Sequence, residues 1–369
     1  MSRIKLGTVF SGIGAIESAL KYLKMDYDVV FACDNGERIL DKTYEEIDKM
    51  VCGKSNAETQ EIINDLYNST GKPNLVKKTY FANYDITEDK WFEDIKYLDG
   101  SGFKNQIDLY VGGSPCQSFS VNGKRAGLDD VRGTLFYEYC RIIKESQPKV
   151  FIYENVRGML NHDHGKTWKI IKEVFDSLNY NIFLSDEKNP IVNAKDYGIP
   201  QNRERVFVVG FRRDLNVKPF VFPQKMPLNT TVFDYLESKV DAKYYLAEKG
   251  FKFVTSNPSR ARVGTPIMGC QKANQQFNWN GDFLFESLEE VQNRPDVLSR
   301  AYIGVWNGKR GVCRKYTPRE CLRLMGFKDE FKIIHKDEVI YRQSGNSIVV
   351  NVLMALVKAI IDTGVWSND

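Results

Sequence analysis

A chain of 369 residues with 42% hydrophobic content can bury a full core, and its length suits one large domain plus a smaller one, or two of medium size. Its net charge of +4 is too small to name a partner. Seven cysteines without a C-x-x-C pair argue against a disulfide framework and against a zinc site of ordinary spacing, which fits a reducing cytoplasm. Three histidines (162, 164, 335) offer little for His-centred catalysis, and no metal is expected. The first residues lack the apolar stretch of a secretion signal. Ile348–Ile361, interrupted by Asn351 and Lys358, falls short of the roughly 18 residues of a membrane span, so no membrane anchor is expected.

Short β-branched and aromatic runs alternate with segments of helical period: Ile4–Phe10, Val29–Cys33, Thr79–Asn83, Ile107–Val111, Val150–Tyr153 and Val206–Phe211. This rhythm predicts an α/β fold, Rossmann-like, with a mostly parallel sheet and helices on both faces. The near-continuous apolar runs at 149–154 and 205–211 suit strands buried on both sides. Residues 45–78, rich in Lys, Asn, Asp and Glu, look like helices inserted between the second and third strands, without an assignable role.

Pro223 and Pro227 mark a domain boundary, and residues 229–313 read as irregular strands and loops with little helix. Thr317-Pro318-Arg319-Glu320 is a capping box with proline at the first helical position, in a helix that Gly326 ends. Ile348–Ile361 is apolar nearly all round and must be buried, capped by Gly364. The expected division is 1–225, a smaller, mostly irregular or β domain at 226–342, and a C-terminal helix at 343–369 that returns to the first domain. Residues 226–342 carry 19 Lys and Arg against 14 Asp and Glu. The bias is steepest from Arg300 to Arg323, which is compatible with a phosphate-facing surface as well as with a plain solvated face.

Five unusual segments each follow a predicted strand: Phe10-Ser11-Gly12-Ile13-Gly14, Asp34-Asn35, Asp85, Gly112–Gln117, and Glu154-Asn155-Val156. In an open α/β sheet the ligand crevice lies outside the carboxyl ends of the strands, so these segments should converge on one site. The glycine turn permits close backbone approach to a ligand, and Asp34 is placed to hold ribose hydroxyls. A dinucleotide site would want glycine at position 17, where Glu17 would oppose a pyrophosphate. A nucleoside cofactor without phosphates, such as S-adenosylmethionine, is the better match.

Cys116 follows a Gly-Gly-Ser-Pro loop at a strand end, the setting of an exposed thiol; its activation needs nearby positive charge or backbone amides. Cys33, Cys140 and Cys321 read as core residues. Glu154 ends an apolar strand, where a carboxylate is either functional or paired with an arginine. Arg203 and Arg205, at i and i+2, share a face if the strand starts there, and guanidinium forks suit phosphate or a carbonyl edge; otherwise they are surface charges.

Taken in order, Phe-Ser-Gly-Ile-Gly, Gly-Gly-Ser-Pro-Cys116-Gln117-Ser-Phe-Ser120, Glu-Asn-Val, Gln-Asn-Arg-Glu-Arg-Val, the Thr317 capping helix and Gln343-Ser-Gly-Asn346-Ser347 resemble the DNA cytosine C5-methyltransferase family, from residue 4 to about 360. The resemblance implies an enzyme of that class with the S-adenosylmethionine-dependent methyltransferase fold. Cys116 thiolate would add to carbon 6 of a flipped-out cytosine, Glu154 would donate to ring nitrogen 3, and Arg203 and Arg205 would hold the base and its phosphate. The implied cofactor set is Phe10, Ser11, Gly12, Ile13, Gly14, Asp34, Asn35, Asp85, Ile86, Pro115, Asn346 and Ser347. Asn35 stands where an aromatic residue is common in the family.

Residues 229–313 take the place of the target-recognition domain, and DNA contacts are expected from Gln117, Ser120, Arg300, Lys309, Arg310 and Arg314. Double-stranded DNA is the implied partner, with a monomeric enzyme and a companion restriction endonuclease. The rivals are a tRNA cytosine methyltransferase on the same fold, a catalytically silent DNA-binding protein, and a nicotinamide-dependent oxidoreductase.

Overall fold

In this computed structural model, which describes residues 3–115, 135–274, 276 and 279–367, the chain divides into two units. The first comprises Met1–Val192, Glu204–Gln224 and Leu353–Asp369; the second, Asn193–Arg203 and Lys225–Val352. The second unit thus takes Asn193–Arg203 from the expected first domain, and the C-terminal break falls at Val352.

The first unit is built from β1 (Ile4–Val9), α1 (Ala15–Tyr22), β2 (Tyr27–Cys33), α2 (Tyr44–Val51), α3 (Asn56–Ser69), α4 (Leu75–Asn83), β3 (Trp91–Phe92), β4 (Leu109–Gly112), α5 (Leu135–Ser146), β5 (Val150–Val156), α6 (Lys166–Asp176), β6 (Tyr180–Phe183), β7 (Ile191–Asn193) and β8 (Glu204–Arg212). The sheet order is β3-β2-β1-β4-β5-β8-β6, with β7 paired to β8. Neighbours from β3 through β5 are parallel, and β8 runs antiparallel to both β5 and β6. Phe136, Tyr139 and Ile143 of α5 and Ile171 and Phe175 of α6 pack with Phe151 and Tyr153 of β5 into its core.

The expected strand at Thr79–Asn83 is instead the end of α4. Asn74 caps that helix, its Oδ1 accepting from Lys77 N at 2.9 Å, and the aromatics that suggested a strand pack as a helical face on Trp91. The third strand is the two-residue β3, too short to leave a periodic signal. Helices α2 and α3 of the insertion each begin with a full capping box, Thr43 with Glu46 and Ser55 with Glu58.

The second unit holds a four-stranded sheet in the order β11-β12-β10-β9, from β9 (Ala261–Val263), β10 (Gly281–Ser287), β11 (Gly304–Trp306) and β12 (Lys309–Lys315). It is more regular than the sequence suggests, and it also carries α7 (Glu248–Ser256) and two one-turn helices, α8 (Leu288–Val291) and α9 (Pro295–Leu298). The Thr317 capping box starts α10 (Pro318–Arg323), followed by α11 (Asp337–Asn346), whereas α12 (Val350–Asp362) belongs from Leu353 onward to the first unit. By length and composition alone the run from Asp337 to Asp362 passes as a membrane span, but over half of its most apolar window is buried in the protein, as in a core helix.

Candidate functional site

Because β1 lies between β2 and β4, the strand order reverses there, and the carboxyl ends of β1, β2, β4 and β5 share one edge of the sheet. The chain leaves β1 in a tight turn with Phe10 at φ 51°, Gly12 at 54° and Gly14 at 77°. At Gly14 an added Cβ would lie 2.1 Å from the ring of Tyr84, whose hydroxyl sits 2.5 Å from Gly14 O and 2.7 Å from Ser18 Oγ. Ser11 closes the turn onto β2, its backbone N donating to Cys33 O at 3.1 Å and its Oγ accepting from Cys33 N at 3.0 Å. Ile13 is buried and Ile86 half-buried.

Asp34, at the end of β2, accepts from Gly12 N at 2.9 Å on one carboxylate oxygen and from Gly36 N at 2.8 Å on the other. Its first role is therefore to fasten two turns together, while each oxygen keeps a second acceptor direction for a hydroxyl. Burial pushes its carboxyl up, and the two amides hold it down. Asn35 is occupied within its own turn, its Oδ1 accepting from Glu37 N at 2.9 Å. Asp85 follows a helix and not a strand, and it is exposed.

Glu17 does not oppose a ligand as a surface charge. It is fully buried, takes a hydrogen bond from the Tyr80 hydroxyl, and burial pushes its carboxyl up from 4.5 to about 7. In the folded chain this carboxyl is therefore buried in α1 and not presented at its surface. Because the folded state binds this proton more tightly than the unfolded state, the stability it confers is complete below pH 4.5 and is lost as pH rises to about 7. Glu17→Gln, which cannot ionise, is expected to gain on the wild type by on the order of 3 kcal/mol between pH 4.5 and 8. Urea unfolding of both proteins at the two pH values checks this; parallel pH dependences would refute it.

Two strands over, Gly113-Ser114-Pro115 follows β4. Asn155 Nδ2 donates to Ser114 O at 3.0 Å and to the Tyr153 hydroxyl at 2.7 Å, and that hydroxyl lies 2.8 Å from Ser114 Oγ. The asparagine of Glu-Asn-Val thus holds the loop that leads to the cysteine. An added Cβ at Gly113 would fall 2.9 Å from Glu154 Oε2 and 2.6 Å from Glu154 O, so glycine is what lets this carboxylate lie over the loop. Pro115 is exposed. Cys116, Gln117 and Ser120 lie outside the described residues.

Glu154 is paired with an arginine, its Oε1 lying 3.0 Å from Arg205 Nε, with both side chains largely buried. The antiparallel course of β8 makes this possible: Arg205 stands opposite Val156 and Phe207 opposite Glu154, so Arg205 is the diagonal neighbour of Glu154 on the same face. In a parallel strand its first residues would start from the other edge of the sheet.

Arg203 lies outside β8 and belongs to the second unit. Its guanidinium is buried and donates to the backbone carbonyls of Gln271 (2.7 Å), Gly345 (3.0 Å) and Ser347 (2.7 Å). Gln201 works alongside, donating to Leu324 O at 2.7 Å and accepting from Gln271 N at 3.0 Å. Arg203 therefore organises the turn at Asn346 and Ser347, a different task from the base or phosphate contact expected of it; Asn346 is exposed and Ser347 buried. Arg300, Lys309 and Arg310 are exposed, the last two beside the Asn307-Gly308 turn, whose φ values of 48° and 75° mark a tight β-hairpin. Arg314 corrects the expectation of a DNA contact. Only 1% of its side chain is exposed, and its guanidinium grips Glu320 at 2.8 and 3.0 Å and also pairs with Glu286.

The family described as C-5 cytosine-specific DNA methylase matches residues 66–362. The chain belongs to this family. It is 37% identical over 292 residues to the Type II methyltransferase M.SsoII of Shigella sonnei, covering 78% of this chain and 72% of the relative. It is 35% identical over 252 residues to M.HhaI of Haemophilus parahaemolyticus, covering 67% and 73%. Among solved structures, a DNMT2 mutant of Spodoptera frugiperda superposes with a TM-score of 0.66 at 20% identity, covering 97% of this chain and 99% of that one, which supports the fold. This C-5 methylase is a DNA cytosine C5-methyltransferase on a mostly parallel α/β sheet, and its family implies a methyl donor of the S-adenosylmethionine type.

Proposed function

We propose that this methylase transfers a methyl group to carbon 5 of one cytosine within a specific duplex sequence, with the base flipped out and held by a covalent bond to Cys116. The observation that carries this reading is the Glu154 carboxylate, fixed by Arg205 at 3.0 Å and lying over Gly113, three residues before that cysteine. Carbon 5 of cytosine is a poor nucleophile. Addition of the Cys116 thiolate at carbon 6, with Glu154 delivering a proton to ring nitrogen 3, converts the ring to an enamine in which carbon 5 is electron-rich. Once carbon 5 has taken the methyl group, loss of its proton, return of the nitrogen 3 proton to Glu154 and expulsion of the thiolate restore the aromatic ring. Flipping costs a few kcal/mol, offset by pocket and backbone contacts.

The residues at the end of β1 fit S-adenosylmethionine. At Gly12 an added Cβ would meet nothing nearer than 3.9 Å, leaving room against the backbone, and Asp34 retains acceptor directions for ribose hydroxyls. Phe10, Gly12, Ile13, Asp34 and Ile86 would hold it. When bound, it supplies an electrophilic methyl on a sulfonium centre. In this reading Arg203 acts through the Asn346 turn, and Arg300, Lys309 and Arg310 face the DNA backbone. A monomeric, cytoplasmic enzyme with a companion restriction endonuclease completes it; the Type II designation of the relatives supports the nuclease.

The test is to incubate the enzyme and S-adenosylmethionine with random-sequence duplex DNA and, separately, with tRNA, then map 5-methylcytosine. Methylation confined to one short DNA sequence is the expected result; methyl groups in tRNA and none in DNA would overturn it.

A further inference from the structure

The helical insertion, for which the sequence suggests no task, reaches the cofactor edge of the sheet through a buried polar cluster. Asn74, the N-cap of α4, donates from Nδ2 to Asp34 O at 2.8 Å and to Glu93 Oε2 at 2.9 Å, while its Oδ1 accepts from Lys77 N at 2.9 Å. Glu93, next to β3, also takes the guanidinium of Arg38. Arg38 donates in turn to Asn35 O at 2.8 Å and to Tyr67 O at 3.4 Å, and it lies over the Tyr67 ring of α3 at 4.7 Å. Asn74, Arg38 and Glu93 are all at least nine-tenths buried. The fit is tight: an added Cβ on Gly36, the residue whose amide binds Asp34, would sit 2.3 Å from Asn74 Oδ1.

A charged cluster this well buried is costly unless each member is satisfied, and here Asn74 and Arg38 each donate to the backbone of the Asp34-Asn35 turn while Glu93 ties the two together. We propose that the insertion is a cofactor clamp, in which Asn74 is a positioning residue that fixes the Asp34 turn for the ribose of S-adenosylmethionine. This rests on the reading of Asp34 as a ribose-binding residue. The clamp acts from outside the pocket. Its removal weakens the cofactor while leaving DNA binding and the chemical step intact, because among the described residues the cluster's contacts lie by β2 and β3, apart from β5 and Glu154.

Asn74→Ser keeps a side chain able to cap α4 and removes the donor that reaches Asp34 and Glu93. Its dissociation constant for S-adenosylhomocysteine, measured by calorimetry on the full chain, is expected to rise roughly fivefold to tenfold. The KM for S-adenosylmethionine should rise in parallel, with kcat and DNA affinity unchanged. Ser55→Ala, which strips the capping box of α3 without touching the turn, should leave the constant unaltered. Equal weakening by Ser55→Ala would mean general loosening of the insertion and overturn the clamp, as would an unchanged constant in Asn74→Ser. An Asp34→Ala arm separates the two claims. If it binds normally, the ribose reading of Asp34 falls and the clamp with it; if it binds weakly while Asn74→Ser binds normally, the clamp alone falls.

Discussion

Cys116→Ala is expected to lose methyl transfer by at least ~1,000-fold while still binding duplex DNA and S-adenosylhomocysteine, because without the thiolate no group in the proposed site makes carbon 5 nucleophilic. The loop before it is held by structure that the substitution leaves alone: Asn155 on Ser114 O, and the Tyr153 hydroxyl beside Ser114 Oγ. Rate alone does not identify the nucleophile, since any disturbance of the loop slows transfer. A covalent readout does. Duplex DNA with fluorine in place of hydrogen at carbon 5 of the target cytosine cannot shed a proton there, so expulsion of the thiolate is blocked and the adduct accumulates. The wild type should form a protein–DNA band stable to denaturation, and Cys116→Ala should form none. A full-strength band from Cys116→Ala would move the nucleophile elsewhere.

Residues that end strands of the parallel sheet were legible in the sequence, because a glycine, an aspartate or a glutamate after an apolar run has little reason to be there except a turn or a site. Phe10–Gly14, Asp34 and Glu154 all stand at that edge in the structure. What stayed hidden depends on partners far along the chain. Arg314 looked like one more charge in a basic run, yet two carboxylates from β10 and α10 draw it inside; Glu320, visible as a capping residue, was the available signal. Tyr84 fits beside Gly14 from 70 residues away, and Thr79–Asn83 carries strand-like residues on a helix committed by its Asn74 cap. The direction of β8 was also unreadable, since an apolar run buried on both faces looks the same in either sense. Arg203 and Arg205 shared a motif and a presumed task, but the strand begins between them, and the one braces a backbone turn while the other meets Glu154.

That separation gives the Glu154 and Arg205 pair its own signature. Glu154→Gln is expected to slow single-turnover transfer by ~100-fold to 10,000-fold, the range a positioned proton donor contributes, with little change in affinity for DNA or cofactor. Arg205→Ala should slow it less, since its guanidinium acts by aiming the carboxylate through Oε1 and leaving Oε2 over the loop. If Arg205 works through Glu154, the double variant should be about as slow as Glu154→Gln alone, because removing the aiming group costs nothing once the group it aims is gone. If Arg205 instead binds substrate independently, the two losses should multiply. Single-turnover rates for the four proteins at saturating DNA and S-adenosylmethionine decide between these outcomes. A Glu154→Gln rate within threefold of wild type would remove the carboxylate from the chemistry altogether and leave its pairing with Arg205 as a feature of the fold.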